Sequence, residues 1–315
     1  MPNEMHAPNT LLEAVRYFAA PDASLQFVAA LRWPDGVTCP VCEGRDVSFL
    51  STRRIWKCKG CKKQFSVKLG TIFEDSPIGL DKWLPALWML ANCKNGISSY
   101  ELARALGVTQ KTGWFMLHRI RLAMQTGTFK KLSGEVEADE TFIGGKARNM
   151  HVGKRRERIK NRGGIGKPIV MGLLERHGDV RTFVVEKNDG KTLKPKVRQH
   201  VEKGAELFTD ALGAYYGLDR EYVHQVIDHA EAYVRGNVHT NGLENFWSLL
   251  KRGIKGTYVA VEPFHLFRYL DEQARRFNER EHTDGQRFVS VVRDIVGRRV
   301  TYRDLTGADL APATT

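Results

Sequence analysis

Four of the five cysteines fall into two tight pairs, Cys39-Pro-Val-Cys42 and, after fifteen intervening residues, Cys58-Lys-Gly-Cys61. Pairs so spaced can set four thiolates tetrahedrally around Zn2+, with Gly60 expected to permit the sharp turn that aims the second pair inward. Four protein ligands close the coordination sphere, so such an ion folds a module rather than catalysing. A redox motif would need one pair only. Lys57, Lys59, Lys62 and Lys63 surround the second pair and suit either phosphate contact or a solvated face. Cys93 lies in an apolar run and reads as core.

A second set of residues is acidic. Asp139 sits inside the run GEVEADETFIGG, Asp210 ends LFTD, and Glu244 follows 34 residues later near the start of NGLENFWSLLKRG. The order reads as strand, strand, helix. A mixed sheet with two aspartates on adjacent strands beside a helical glutamate is how an RNase H-like fold holds two Mg2+ or Mn2+ ions. Such a pair activates an attacking oxygen and stabilises a leaving one at phosphorus. Hard carboxylate oxygens suit those cations. Each residue also has a plainer reading. Glu137 and Glu140 show that the strand tolerates acids, and either is an alternative ligand. Asp210 suits the start of a turn, and Asn241-Gly-Leu-Glu244 fits a capping box. Glu244, Ser248 and Lys251 share a helical face, so Lys251 could hold a phosphate near the acids, with Arg252 and Lys255 extending the cationic track. Tyr215 and Tyr216 lack the Arg/His surroundings of a tyrosine nucleophile and read as packing residues.

The elements that must position these groups are readable in outline. Residues 1–36 are expected to be helical, with Asp22 or Ser24 as a cap, and Pro34-Asp35-Gly36 forces a turn. Residues 37–75 form the zinc module. Residues 76–130 hold a buried apolar helix over 80–91 and then a helix-turn-helix over Ile97–Met124. There Ser98 or Ser99 caps the first helix, Gly107 ends it and Thr109 caps the second. Gln110, Lys111, Thr112 and Trp114 near the start of the second helix would enter the major groove of DNA. Residues 131–282 carry the mixed sheet, with strands expected at 206–210 and 222–228 and helices at 193–201, 241–254 and 262–278. Within them, 146–167 is a basic loop of nine Lys/Arg against one Glu, including Arg155 and Arg156. Residues 283–315 are a last helix over 286–295 and a tail. The fold class expected is α+β and multidomain: a zinc ribbon and helix-turn-helix, then an RNase H-like mixed-sheet catalytic domain.

The bulk composition agrees. At 315 residues and 42% hydrophobic the chain can bury more than one core, and 49 Lys/Arg against 36 Asp/Glu leave it at +13. That excess favours a polyanion, because Lys and Arg contacts to phosphates release condensed counterions. No run of about 18 apolar residues could span a bilayer, and the N-terminus does not read as a secretory signal. The expected home is the cytoplasm, bound to DNA.

Long stretches resemble one family. RWPDGVTCPVCEG with KCKGCKKQFSVKLGTIFEDS, then GEVEADETFIGGK, LFTDALGAY and HTNGLENFWSLLKRGIKGTY, are similar to the motifs of ISXO-like insertion-sequence transposases of the DDE class with an N-terminal zinc ribbon. The resemblance runs from about Phe27 to Asn278. It implies that Asp139, Asp210 and Glu244 are the acidic triad, with Asn241 the alternative third ligand, and that Lys251 is the basic residue following it. It further implies binding of double-stranded DNA at terminal inverted repeats, hydrolysis of one strand to free a 3′-OH, and attack of that hydroxyl on target DNA. Holding two ends together implies a homodimer or larger oligomer. Competing expectations are an RNase H-fold nuclease that does not join, a DNA-binding regulator with a decayed catalytic domain, and a basic RNA-binding protein. The last is disfavoured by the lack of an aromatic stacking platform beside the basic runs.

Overall fold

The computed structural model describes residues 7–125, 130–144, 167–210, 212–227 and 239–306. The chain divides into two compact units: residues 1–125 with 279–315, and residues 126–278.

In the first unit, α1 (Leu11–Phe18) is capped by Thr10, and α2 (Pro21–Arg32) follows after a two-residue break. Neither Asp22 nor Ser24 caps α2. Its N-cap is Ala20, because Pro21 has its φ preset for the first helical position and begins the helix earlier. Ser24 is buried, and its hydroxyl donates to the Phe18 carbonyl (2.8 Å). Strands β1 (Val47–Leu50), β2 (Ile55–Cys58) and β3 (Gln64–Phe65) form an antiparallel sheet in that order. Trp56 and Phe65 stack on its inner face with Trp33 edge-on to both.

Helix α3 (Leu80–Asn92) is buried from Trp83 to Ala91. Then come α4 (Ser99–Leu106) and α5 (Gln110–Ala123). Ser98 caps α4 in a full capping box with Glu101, Gly107 ends it in the left-handed region (φ +60°), and Thr109 caps α5. Gly113 lets the two helices cross closely: a Cβ there would stand 2.9 Å from the Ser99 carbonyl oxygen. The segment after residue 278 returns to this unit. In α9 (Asp284–Arg293) the Phe288 ring lies 5.8 Å from Phe27, 5.6 Å from Phe18 and 5.2 Å from Trp88. A short helix, α10 (Tyr302–Thr306), follows.

The second unit is built on a five-stranded mixed sheet. Its strands are β4 (Glu135–Phe142), β5 (Ile169–Glu175), β6 (Val180–Val185), β7 (Glu206–Asp210) and β8 (Val223–Ile227), in the order β6-β5-β4-β7-β8. The first three pair antiparallel, whereas β7 joins β4, and β8 joins β7, in parallel. This 3-2-1-4-5 arrangement is that of an RNase H-like sheet. The parallel step from β6 to β7 needs a crossover, and α6 (Gly190–His200), capped by Asp189, supplies it. Val136 and Ala138 face one layer with Leu193, Val197, Leu207 and Tyr215. On the opposite face, helices α7 (Asn241–Gly253) and α8 (Leu266–Asn278) cover Val170 and Leu174 with Leu243, Phe246, Trp247, Leu250 and Leu270. Among the described residues, no helix is long and apolar enough to cross a membrane.

Candidate functional site

The four cysteines converge. The sulfurs of Cys39 and Cys61 lie 3.7 Å apart, those of Cys42 and Cys58 3.6 Å, and all four ligand atoms are within 4.8 Å of one another. With Zn–S bonds near 2.3 Å, a tetrahedron has edges of about 3.8 Å, so the donor set fits Zn2+. Two knuckles make the cluster: the Cys39 N–H donates to the Gly44 carbonyl (3.0 Å) and the Cys58 N–H to the Lys63 carbonyl (2.9 Å). The left-handed residues of these turns are Glu43 (φ +60°) and Lys62 (φ +62°), one after each second cysteine. Gly60, expected to permit the sharp turn of the second pair, does not have a positive φ, and a Cβ there would make only ordinary contact with Cys58 Sγ at 3.7 Å.

The acids gather in the second unit. Because Ala138 pairs with Thr209 in parallel register, Asp139 and Asp210 come one step further along adjacent strands. Asp210 is held where β7 ends, its Oδ1 accepting the Leu212 N–H (3.1 Å). Asp139 and Glu244 line one cavity of about 610 Å³ with Glu140, Thr141, Trp247, Ser248, Lys251, Arg252 and Lys255. Burial pushes the Asp139 carboxyl up to about 6; N–H donors from Trp247 and Glu140 pull it back, and the charges of Asp210 and Glu244 push it up again. Burial likewise raises Glu140 to about 8, against a hydrogen bond from Tyr215. The Lys251 ammonium is pulled down by burial and by Lys255, and partly held up by Asp139. Carboxylate oxygens are the donors that Mg2+ or Mn2+ prefers, although among the described residues only the four cysteines gather three or more ligand atoms within 4.8 Å of one another.

The alternatives raised by the sequence sort by face. Glu137 lies on the same face of β4 as Asp139 but is 1% exposed and spent on structure. It accepts the Leu243 N–H at the start of α7 (2.9 Å) and Arg176 Nε (3.0 Å), with His239 Nδ1 3.5 Å away. Glu140 points to the other face, where buried Tyr215 donates to it; Tyr216, expected to pack, is exposed. There is no capping box at Asn241 and Glu244. The N-cap of α7 is Thr240, which makes no side-chain cap bond, and Asn241 is already inside the helix. Glu244 projects from the exposed side, whereas Asn241 does not line the cavity.

The remaining candidates lie elsewhere. Lys111 and Thr112 are at the start of α5 in the first unit, the Lys111 ammonium 4.8 Å from the Tyr302 ring and Thr112 bonded to Thr109. Arg155, Arg156 and the basic stretch 146–166 lie outside the described residues. Arg176 and Trp247 were not foreseen as parts of the site, and Glu137 was read as an alternative ligand rather than as the partner of Arg176 and Leu243. The i, i+2 relation of Glu137 to Asp139 was the available signal; nothing local marked Arg176.

Comparison with known proteins agrees with this architecture. Residues 22–64 match the transposase zinc-ribbon domain, and residues 131–278 match the ISXO2-like transposase domain. A relative from Halobacterium salinarum, described as an uncharacterized protein in transposable element ISH50, is 26% identical over 251 residues, covering 76% of this chain and 84% of its own length. The chain thus carries a region similar to the ISXO2-like transposase domain, with a region similar to the transposase zinc ribbon ahead of it.

Proposed function

We propose that the protein binds the terminal inverted repeats of an insertion sequence, cleaves them in a reaction dependent on divalent metal, and joins the freed 3′ ends to target DNA. The observation that carries this reading is the convergence of Asp139 and Asp210, on adjacent parallel strands, with Glu244 on the helix packed over them. Lys251, Arg252 and Lys255 line the same cavity.

In this reading Asp139, Asp210 and Glu244 offer carboxylate oxygens to two Mg2+ or Mn2+ ions. When bound, such ions activate the attacking oxygen and stabilise the leaving one in an in-line displacement at phosphorus. The chain's own side chains do the rest. Trp247 Nε1 donates to Asp139 Oδ2 (2.9 Å) and the Glu140 N–H to its Oδ1 (2.8 Å), so both oxygens of the carboxylate are held in place. Lys251, Arg252 and Lys255 neutralise the phosphates that pass over α7 and bring the scissile one to the acids. The zinc ribbon and the α4–α5 pair bring the DNA, Lys111 and Thr112 contacting it from the start of α5. Two copies or more act on paired ends.

The test uses purified protein, a labelled duplex carrying the element's end, and a supercoiled target plasmid, with Mg2+ or with EDTA. Nicked and joined products in Mg2+ alone are expected. Cuts without joints would make the protein a nuclease; binding without chemistry in any divalent metal would make it a regulator.

A further inference from the structure

The helix that carries Glu244 does not cap itself, since Thr240 makes no side-chain bond to it. Its first turn is instead capped across space by strand β4: Glu137 Oε2 accepts the Leu243 N–H, and a carboxylate there also complements the helix dipole. One turn on, Trp247 Nε1 donates to Asp139 Oδ2. Glu137 and Asp139 are two residues apart on the same strand face, and Leu243 and Trp247 are four apart on the same helix face. The two bonds therefore run side by side between the same two elements. Two such points fix both the height and the rotation of α7 against β4, which one bond could not do.

The backbone is shaped for this contact. A Cβ on Gly242 would stand 2.8 Å from Glu137 Oε2 and 2.5 Å from Leu174, so the helix start comes as close to the strand as a chain without side chain allows. Gly172 is the register partner of Asp139 on β5, and a Cβ there would stand 2.6 Å from the Trp247 ring. The Glu137 carboxylate is itself anchored. Arg176 Nε holds it at 3.0 Å, while Arg176 Nη2 donates to the His239 carbonyl at 2.7 Å, tying down the chain that leads into α7. The Arg176 guanidinium lies 4.1 Å from the Phe208 ring centre on β7, the strand that ends in Asp210.

We infer that Glu137 and Trp247 are positioning residues that clamp α7 to β4 at two points and so set Glu244 against Asp139. The inference rests on the acidic-triad reading proposed above.

The full-length chain is titrated with Mn2+ by calorimetry, with turnover on end DNA and thermal unfolding measured beside it, for wild type, Glu137→Gln, Trp247→Phe and Glu244→Gln. Trp247→Phe keeps an aromatic ring and removes the N–H together with part of the indole's volume. Glu137→Gln keeps an acceptor for Leu243 and removes the charge. Each is expected to weaken Mn2+ binding about 10–100-fold, the range for residues that orient metal ligands, and to regain most turnover at saturating Mn2+. Glu244→Gln is expected to lose turnover at every Mn2+ concentration. A lower melting temperature with wild-type Mn2+ affinity in Trp247→Phe would reduce the clamp to a fold contact and overturn the inference. If Glu137→Gln does not fold, Trp247→Phe carries the measurement. Full turnover in Glu244→Gln would instead overturn the triad reading, whatever the clamp variants do.

Discussion

Asp139 holds its charge against its surroundings. Burial and two neighbouring carboxylates raise its carboxyl to about 6, and the N–H groups of Trp247 and Glu140 only partly offset them. An acid placed that way is costly to the fold, which supports the role proposed for it. Glu137, two residues away, is the contrasting case: it is fully buried, paired with Arg176 and bonded to a helix start. At the other site, each cysteine supplies one of four sulfurs. Cys58→Ser should lower bound zinc from one ion per chain to near none by atomic absorption and unfold the ribbon; retention of a full equivalent would contradict the four-sulfur assignment. The cysteine set was legible because spacing alone specifies it. Asp139, Asp210 and Glu244 stood out by order along the chain. The role of Glu137 was not legible, because its partners Arg176 and Leu243 are 39 and 106 residues away.

At the scale of elements, local chemistry predicted what local chemistry controls. Ser98, Gly107 and Thr109 start and stop α4 and α5 as their types require. At the start of α7 the capping box that the sequence offered as the plainer reading does not form, because the first turn is capped from another element. The approach of α7 to the sheet depends on Gly172. Gly172→Ala should destabilise the second unit by about 1–3 kcal/mol, the range for overpacking a filled core, measured by urea unfolding. A change below 0.5 kcal/mol, within the ordinary scatter of roughly ±0.5 for neutral substitutions, would show that Trp247 can move aside. The C-terminal end of α6 gives a pH prediction. His200 stacks on Phe183 (4.6 Å between ring centres) and is lowered to about 4, by burial first and then by Arg181, Lys196 and Lys131. Unfolded, it would take its proton near 6.5. Between these values the unfolded chain binds more protons, so the second unit loses stability as pH falls from about 6.5 toward 4. His200→Gln should flatten that slope in melts across pH 4–7; an unchanged slope would show that other groups set it.

At the scale of the whole molecule, the return of the chain to the first unit was the least legible feature. The packing of Phe288 beside Phe18, Phe27 and Trp88 joins residues about 200–270 positions apart in sequence, and no periodicity encodes such a partner. Phe288→Ala should cost the first unit about 3–5 kcal/mol in denaturant unfolding, the range for a buried Phe; a loss near zero would mean that α9 contributes little to that core. The charge of +13 was legible from composition, and it implies affinity for DNA that falls steeply with salt. Deleting the cationic stretch 146–166 should weaken binding and flatten its salt dependence, both read by fluorescence anisotropy. Unchanged affinity and slope would remove that stretch from the DNA interface.

The central claim is that three carboxylates of the second unit do metal-dependent chemistry on DNA. The most direct measurement compares Asp139→Asn, Asp210→Asn and Glu244→Gln with wild type in strand cleavage on the element's end in Mg2+, with end-DNA affinity and zinc content measured on the same preparations. The account predicts that each variant binds DNA and zinc as wild type does while cleavage falls at least about 1,000-fold, as expected when a group that stabilises transition-state charge is removed. Cleavage within tenfold of wild type in any one of the three would contradict the role assigned to that residue.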